Sequence, residues 1–96
     1  DLILENGEKI EIKSDKSKSP ALTTGAIRNL DQNTFDYMVV VEFNNSYEAT
    51  RVFKVPHAIV DKFASKETLN KPFRKLTITK KVIAEPSVLD ITSMFN

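Results

Sequence analysis

The run Tyr37 to Phe43, YMVVVEF, constrains the fold more than any other stretch of the chain. Its β-branched core Val39-Val40-Val41 is apolar on both alternating sides, so it predicts a central strand covered on both faces. Glu42 interrupts the run and marks the strand's emerging end; a further acid near a site is the other reading. Asn44-Asn45-Ser46 is turn chemistry, and Tyr47 to Val55, YEATRVFKV, alternates as the return strand. A strand with two apolar faces needs a layer on each side.

The N-terminal stretch Asp1 to Lys13, DLILENGEKIEIK, reads as a β-hairpin turning at Asn6-Gly7. A two-residue loop would mix charge into both faces. A three-residue loop, Glu5-Asn6-Gly7 with Gly7 in the left-handed conformation, pairs Leu2 with Ile10, Leu4 with Glu8 and Asp1 with Glu11. In that register Leu2, Leu4, Ile10 and Ile12 share an apolar side, and Asp1, Ile3, Lys9, Glu11 and Lys13 share the other.

Two carboxylates, Asp1 and Glu11, are then directly opposed, with β-carbons about 5 Å apart, and like charges so placed repel. A hard divalent cation offsets that repulsion, since Mg²⁺ is typically held by one or two carboxylates with water and phosphate oxygens completing its shell. Lys13, two residues beyond Glu11 on the same side, adds an ammonium suited to a phosphate or a nucleophilic water. The bland alternative is an exposed hairpin face carrying ordinary surface charges.

The 96 residues suffice for one domain spanning 1–96 and no more. Charged residues make up 28% and hydrophobic residues 41%, as in an ordinary globular domain. With no cysteine, disulfide frameworks and thiolate metal sites are excluded. No apolar run is long enough to span a membrane and no signal-peptide pattern is present, so the expectation is a cytoplasmic protein without a membrane partner. A net charge of +1 means that any nucleic-acid surface must be a local basic patch.

Residues Ser14 to Thr24, SDKSKSPALTT, lose periodicity and read as a loop; with Lys9 and Lys13, Lys16 and Lys18 make a lysine cluster of the kind that touches a phosphate backbone. A solvated connection is the competing account. Gly25 to Asn33 reads as a turn or short helical element anchored by Ile27 and Leu30, with Arg28 as a candidate phosphate ligand or a plain surface arginine. Pro56 opens a helix in which Ile59, Val60 and Phe63 face inward, and His57 in its first turn reads as a surface or capping residue. Ser65 to Pro72 is a polar connection, and Phe73 to Thr79, FRKLTIT, reads as a strand exposed on one face. Arg74, Lys75, Lys80 and Lys81 form a second basic cluster. Val88 to Phe95 reads as a short helix or strand whose apolar residues seal the core. There is no glycine-rich phosphate loop, nucleophile elbow or internal repeat.

Asp1 followed by Glu11-Ile12-Lys13 resembles the PD-(D/E)xK nuclease superfamily. The resemblance extends through the AIRNLD segment, FDYMVVVEF, VPHAIV and the terminal VLDIT, an order of residue types similar to a bacterial group within that superfamily. It implies an α/β (α+β) fold, a mixed central β-sheet with flanking helices forming a restriction-endonuclease-like core, and a Mg²⁺-dependent endodeoxyribonuclease, with Mn²⁺ as a substitute metal. Asp1 and Glu11 would hold the metal and Lys13 would steady the attacking water or the developing charge, with Lys9, Lys16, Lys18 and Arg28 contacting DNA. A catalytically inactive nucleic-acid-binding or protein-interaction domain of the same fold is the alternative. The chain begins on the motif's first residue without an initiator methionine, so a trimmed chain lacking the family's upstream helix is expected. A second copy or a partner domain in a longer chain is compatible with this size.

Overall fold

The computed structural model describes residues 2–3, 6–15, 22–28, 30 and 35–95, with only the backbone of 2 and 3. It is an α+β fold built on a five-stranded mixed sheet in the order β1-β2-β4-β5-β7, with a smaller two-stranded ribbon, β3-β6, on one side of it. The strands are β1 (Leu2–Ile3), β2 (Lys9–Asp15), β3 (Leu22–Thr23), β4 (Tyr37–Phe43), β5 (Ala49–Pro56), β6 (Thr77–Ile78) and β7 (Leu89–Asp90). Two short helices, α1 (His57–Phe63) and α2 (Lys80–Ile83), and a terminal 3-10 turn, Thr92–Phe95, complete the described elements.

The hairpin register is the one the three-residue loop requires: Leu2 pairs with Ile10 and Ile3 with Lys9. Gly7 supplies the left-handed residue, with φ +85°, and the Asn6 side chain closes the turn by accepting the Glu8 amide at 3.0 Å. The YMVVVEF run is β4, the middle strand. It pairs in parallel with β2 and antiparallel with β5.

The parallel pairing corrects one expectation about the hairpin. Glu11 sits beside Met38 and Lys13 beside Val40, and on the next strand these rows continue into Val55 and Phe53. Met38, Val40, Phe53 and Val55 are all buried in the main core, so the charged side of β2 lies on the core-facing side of the sheet. Ile12, expected on a sheltered apolar side with Ile10, is instead 55% exposed. The reason is that β4 and β5 carry far more apolar area than the hairpin and therefore choose the buried face; β2 follows their register.

The core is filled from three layers. Met38, Val40, Phe53 and Val55 come from the sheet, Leu22, Ile27, Leu76 and Ile78 from the ribbon, and Val60, Ala64 and Val82 from the helical segments. The opposite face of β4 is less covered, with Val41 buried and Val39 half-buried.

Other expectations are corrected in detail. Ser14 and Asp15 belong to β2, because its ladder with β4 continues to Asp15 opposite Glu42. Leu22 and Thr23, expected in a loop, pair with Ile78 and Thr77, since burying Leu22 requires its backbone polar groups to find partners. Of Phe73 to Thr79, only Thr77–Ile78 forms a regular strand. Between the pairs Leu22↔Ile78 and Ile27↔Arg74 there are four residues on one strand against three on the other, a bulge that interrupts the ladder. Ile27 and Leu30 are buried anchors as expected. In the tail Val88 is buried, but Leu89, Met94 and Phe95 are exposed; the 3-10 turn is held instead by polar contacts, the Thr92 hydroxyl accepting the Val52 amide at 2.9 Å. No helix among the described residues is long and apolar enough to cross a membrane.

Candidate nucleic-acid interface

Strand alternation puts Glu11 and Lys13 on the same side of β2. The Lys13 ammonium lies 3.3 Å from the Glu11 carboxylate, with the two side chains 25% and 23% exposed. Lys13 also donates to the Ala26 carbonyl at 3.2 Å, so the pair sits at the rim of the core layer, where the segment leading out of β3 crosses β2. Asp1, Lys16 and Lys18 lie outside the described residues. Lys9 is exposed; its backbone is locked to Asp36, whose Oδ2 accepts the Lys9 amide at 2.8 Å and whose own amide donates to the Lys9 carbonyl at 2.8 Å.

The donor chemistry of Glu11 suits a hard cation such as Mg²⁺, for which one or two carboxylates suffice when water and phosphate complete the shell. Among the described residues no group of three or more potential ligands converges anywhere. Glu42 is not available as a further acid. Its Oε2 accepts from Arg51 Nη2 at 2.7 Å and its Oε1 accepts from Arg51 Nε at 3.0 Å and from Thr50 at 2.8 Å. The Arg51 guanidinium holds its carboxyl below the usual range against a smaller opposing effect of burial. His57 is structural: a ring nitrogen lies 2.7 Å from the Leu30 carbonyl and the ring packs on Phe35 with centroids 4.9 Å apart.

The second basic cluster divides. Arg74 is 8% exposed and belongs to the core, not to a surface patch. Its guanidinium is consumed by Asp61 and by the carbonyls that end α1. Lys75, one residue on, points the other way by strand alternation. Its ammonium lies 5.7 Å from the centre of the Phe73 ring, and Arg28 reaches the same ring at 5.9 Å. Both are within cation–π range. The bridge Ile27↔Arg74 explains the meeting, because it places the neighbours Arg28 and Phe73 opposite each other across the ribbon's extension.

Phe73 borders a cleft of about 350 Å³ lined also by Ser65, Lys66, Thr68, Lys71 and Lys75. In the sequence Phe73 reads only as the first residue of the FRKLTIT strand. The available signal was an aromatic set among cations, Lys71, Phe73, Arg74 and Lys75, but the burial of Arg74 could not be read from it. A second cavity, about 560 Å³, lies under the hairpin turn beside Glu8, Asp36 and His57, and no Lys or Arg is among its described lining residues.

No family model matches the chain, and no curated protein matches it.

Proposed function

We propose that this chain is a nuclease-type domain that acts on DNA by metal-dependent phosphodiester hydrolysis, with Glu11 and Lys13 as the reactive pair. The observation that supports it is the Glu11–Lys13 pair itself: a carboxylate and an ammonium 3.3 Å apart on one side of β2, half-sheltered at the edge of the core. It rests also on the hairpin register Leu2↔Ile10, which, carried one residue further, would set Asp1 opposite Glu11. In this reading Glu11, together with Asp1, holds Mg²⁺, which when bound polarises a phosphoryl oxygen and acidifies a water. Lys13 positions the scissile phosphate and offsets developing negative charge.

A second reading, DNA binding without cleavage, is favoured by the other contact of Lys13. An ammonium shared between Glu11 and the Ala26 carbonyl already has a structural role, tying β2 to the ribbon.

Calorimetry with Mn²⁺ and Mg²⁺ on the chain and on Glu11→Gln, together with a cleavage assay on duplex DNA, decides between them. Metal binding and turnover that both disappear in Glu11→Gln carry the nuclease reading. Salt-dependent DNA affinity without turnover in either protein carries the second.

A further inference from the structure

We propose that the Phe73 cleft is a docking site for an unpaired stretch of nucleic acid, with a base stacked on the Phe73 ring and the backbone phosphates held by Arg28, Lys66, Lys71 and Lys75. Three observations converge on it. The first is charge. Lys66, Lys71 and Lys75 line the cleft with no carboxylate among its described lining residues; the Asp61 carboxylate is within electrostatic reach of Lys66, but the ion pairs found among the described residues involve Lys13, Arg51, Lys62 and Arg74. Three ammonium groups gathered in one cleft repel one another, and a polyanion relieves that repulsion with release of its own counterions.

The second is the aromatic. Phe73 is half-buried at the margin of the cleft, so a base can reach its exposed part while its buried part keeps the ring in place. Arg28 and Lys75 at 5.9 and 5.7 Å from the ring centre are placed to hold the phosphates on either side of a stacked base. Aromatic surface beside a basic groove is the combination that binds single strands without sequence preference. In a duplex the faces of the bases are stacked on one another and closed to Phe73.

The third is the polar floor. The Ser65 hydroxyl accepts the Lys75 amide at 2.9 Å and the Thr68 hydroxyl accepts the Lys71 amide at 3.1 Å, so the backbone carrying two of the cations is pinned. The site also has a route to the Glu11–Lys13 pair. Ala26, which accepts from Lys13, precedes Arg28 by two residues, roughly 7 Å along an extended chain. The inference shares with the proposed function the view that nucleic acid is the ligand, but it stands whether or not Glu11 supports cleavage.

The test uses the whole chain in EDTA, where no metal-dependent cleavage occurs. The protein contains no tryptophan, so Phe73→Trp introduces a sole indole at the site. Addition of a short oligothymidylate is expected to quench its fluorescence, and the duplex of the same sequence to quench it less. By anisotropy, Phe73→Leu is expected to lower single-strand affinity about tenfold, the size of one lost stacking contact, and to leave duplex affinity unchanged. Lys71→Glu should lower both and flatten the salt dependence by about 0.7 in log–log slope for single strands. An indole that no oligonucleotide quenches overturns the proposal. So does quenching by polyglutamate as strong as that by oligothymidylate, which would make the ligand an acidic polypeptide. So, too, does a folded Phe73→Leu that binds single strands as well as the unmodified chain. Should Phe73→Leu fail to fold by circular dichroism, the indole quenching decides alone. Loss of the cleavage reading would appear only in the Glu11→Gln experiments with metal present, so the two failures are distinguishable.

Discussion

The guanidinium of Arg74 meets the carboxylate of Asp61 at 2.6 Å and, from the same group, closes the end of α1 by donating to the carbonyls of Asp61 at 2.6 Å, Ser65 at 2.8 Å and Ala64 at 3.3 Å. The last carbonyls of a helix have no partner within it; here Arg74, on the segment bonded alongside Ser65 at the helix end, supplies the donors. The contact fixes α1 against the ribbon, and by burying Arg74 it turns Phe73 and Lys75 outward.

Arg74→Leu is therefore expected to destabilise the fold by about 2–3 kcal/mol, the cost of leaving such carbonyls unsatisfied in a sheltered place. Asp61→Asn should cost much less, because the Asp61 side chain is more than half exposed and exposed ion pairs contribute little. Urea denaturation of the two variants checks the order; equal losses would mean that the ion pair, not the carbonyl contacts, holds the helix.

Acid should weaken the fold. Glu42 is held below its usual range first by Arg51, Asp61 first by Arg74, and Asp90 first by the Thr92 hydroxyl. A carboxylate whose folded pKa is depressed contributes stability that is present above its unfolded pKa and lost as pH falls through the folded one. Stability should thus hold from neutrality to the ordinary carboxylate range and decline below it. Glu42→Gln should shrink the decline, as read from urea midpoints between neutral pH and about pH 3.

Two apolar positions give opposite expectations. Leu76 is fully buried, and Leu76→Ala should cost about 3 kcal/mol through lost transfer energy and a residual cavity. Ile12→Thr, at an exposed strand position, should stay within about 0.5 kcal/mol. Thermal unfolding of both variants measures the difference between the buried core and the exposed side of β2.

At the hairpin turn, Gly7→Ala should cost roughly 1 kcal/mol, because a side chain disfavours the left-handed conformation. The space around Gly7 is open, with nothing within 4 Å of an added Cβ, so the loss is one of backbone conformation alone. Gly7→Asn should recover most of it, measurable in the same melts.

For the proposed reaction, Lys13→Met should not weaken metal affinity at Glu11, which loses an ammonium 3.3 Å away that competes with the cation, and should lower the cleavage rate. Calorimetry and single-turnover cleavage measure the two separately. A variant that cleaves at the full rate would remove Lys13 from the chemistry.

What the sequence determined by itself was local. The alternation and β-branching of YMVVVEF specified the central strand, Asn6-Gly7 specified a hairpin whose register followed from the apolar alternation around it, and Pro56 followed by Ile59, Val60 and Phe63 specified α1, because each depends on neighbours along the chain. Tertiary structure decided which side of each element is buried. β2 turned Glu11 and Lys13 toward the core and Ile12 toward solvent because the larger apolar surfaces of β4 and β5 set the buried face. Arg74 went inside because α1 ended with carbonyls within its reach, although its neighbours in sequence looked like a solvated basic run. The Phe73 cleft exists for the same reason: Arg28 and Phe73 are 45 residues apart in the chain, and only the bridge between Ile27 and Arg74 sets them opposite each other. Periodicity records which residues can share a face, and the competition among faces for a limited buried volume settles which of them do.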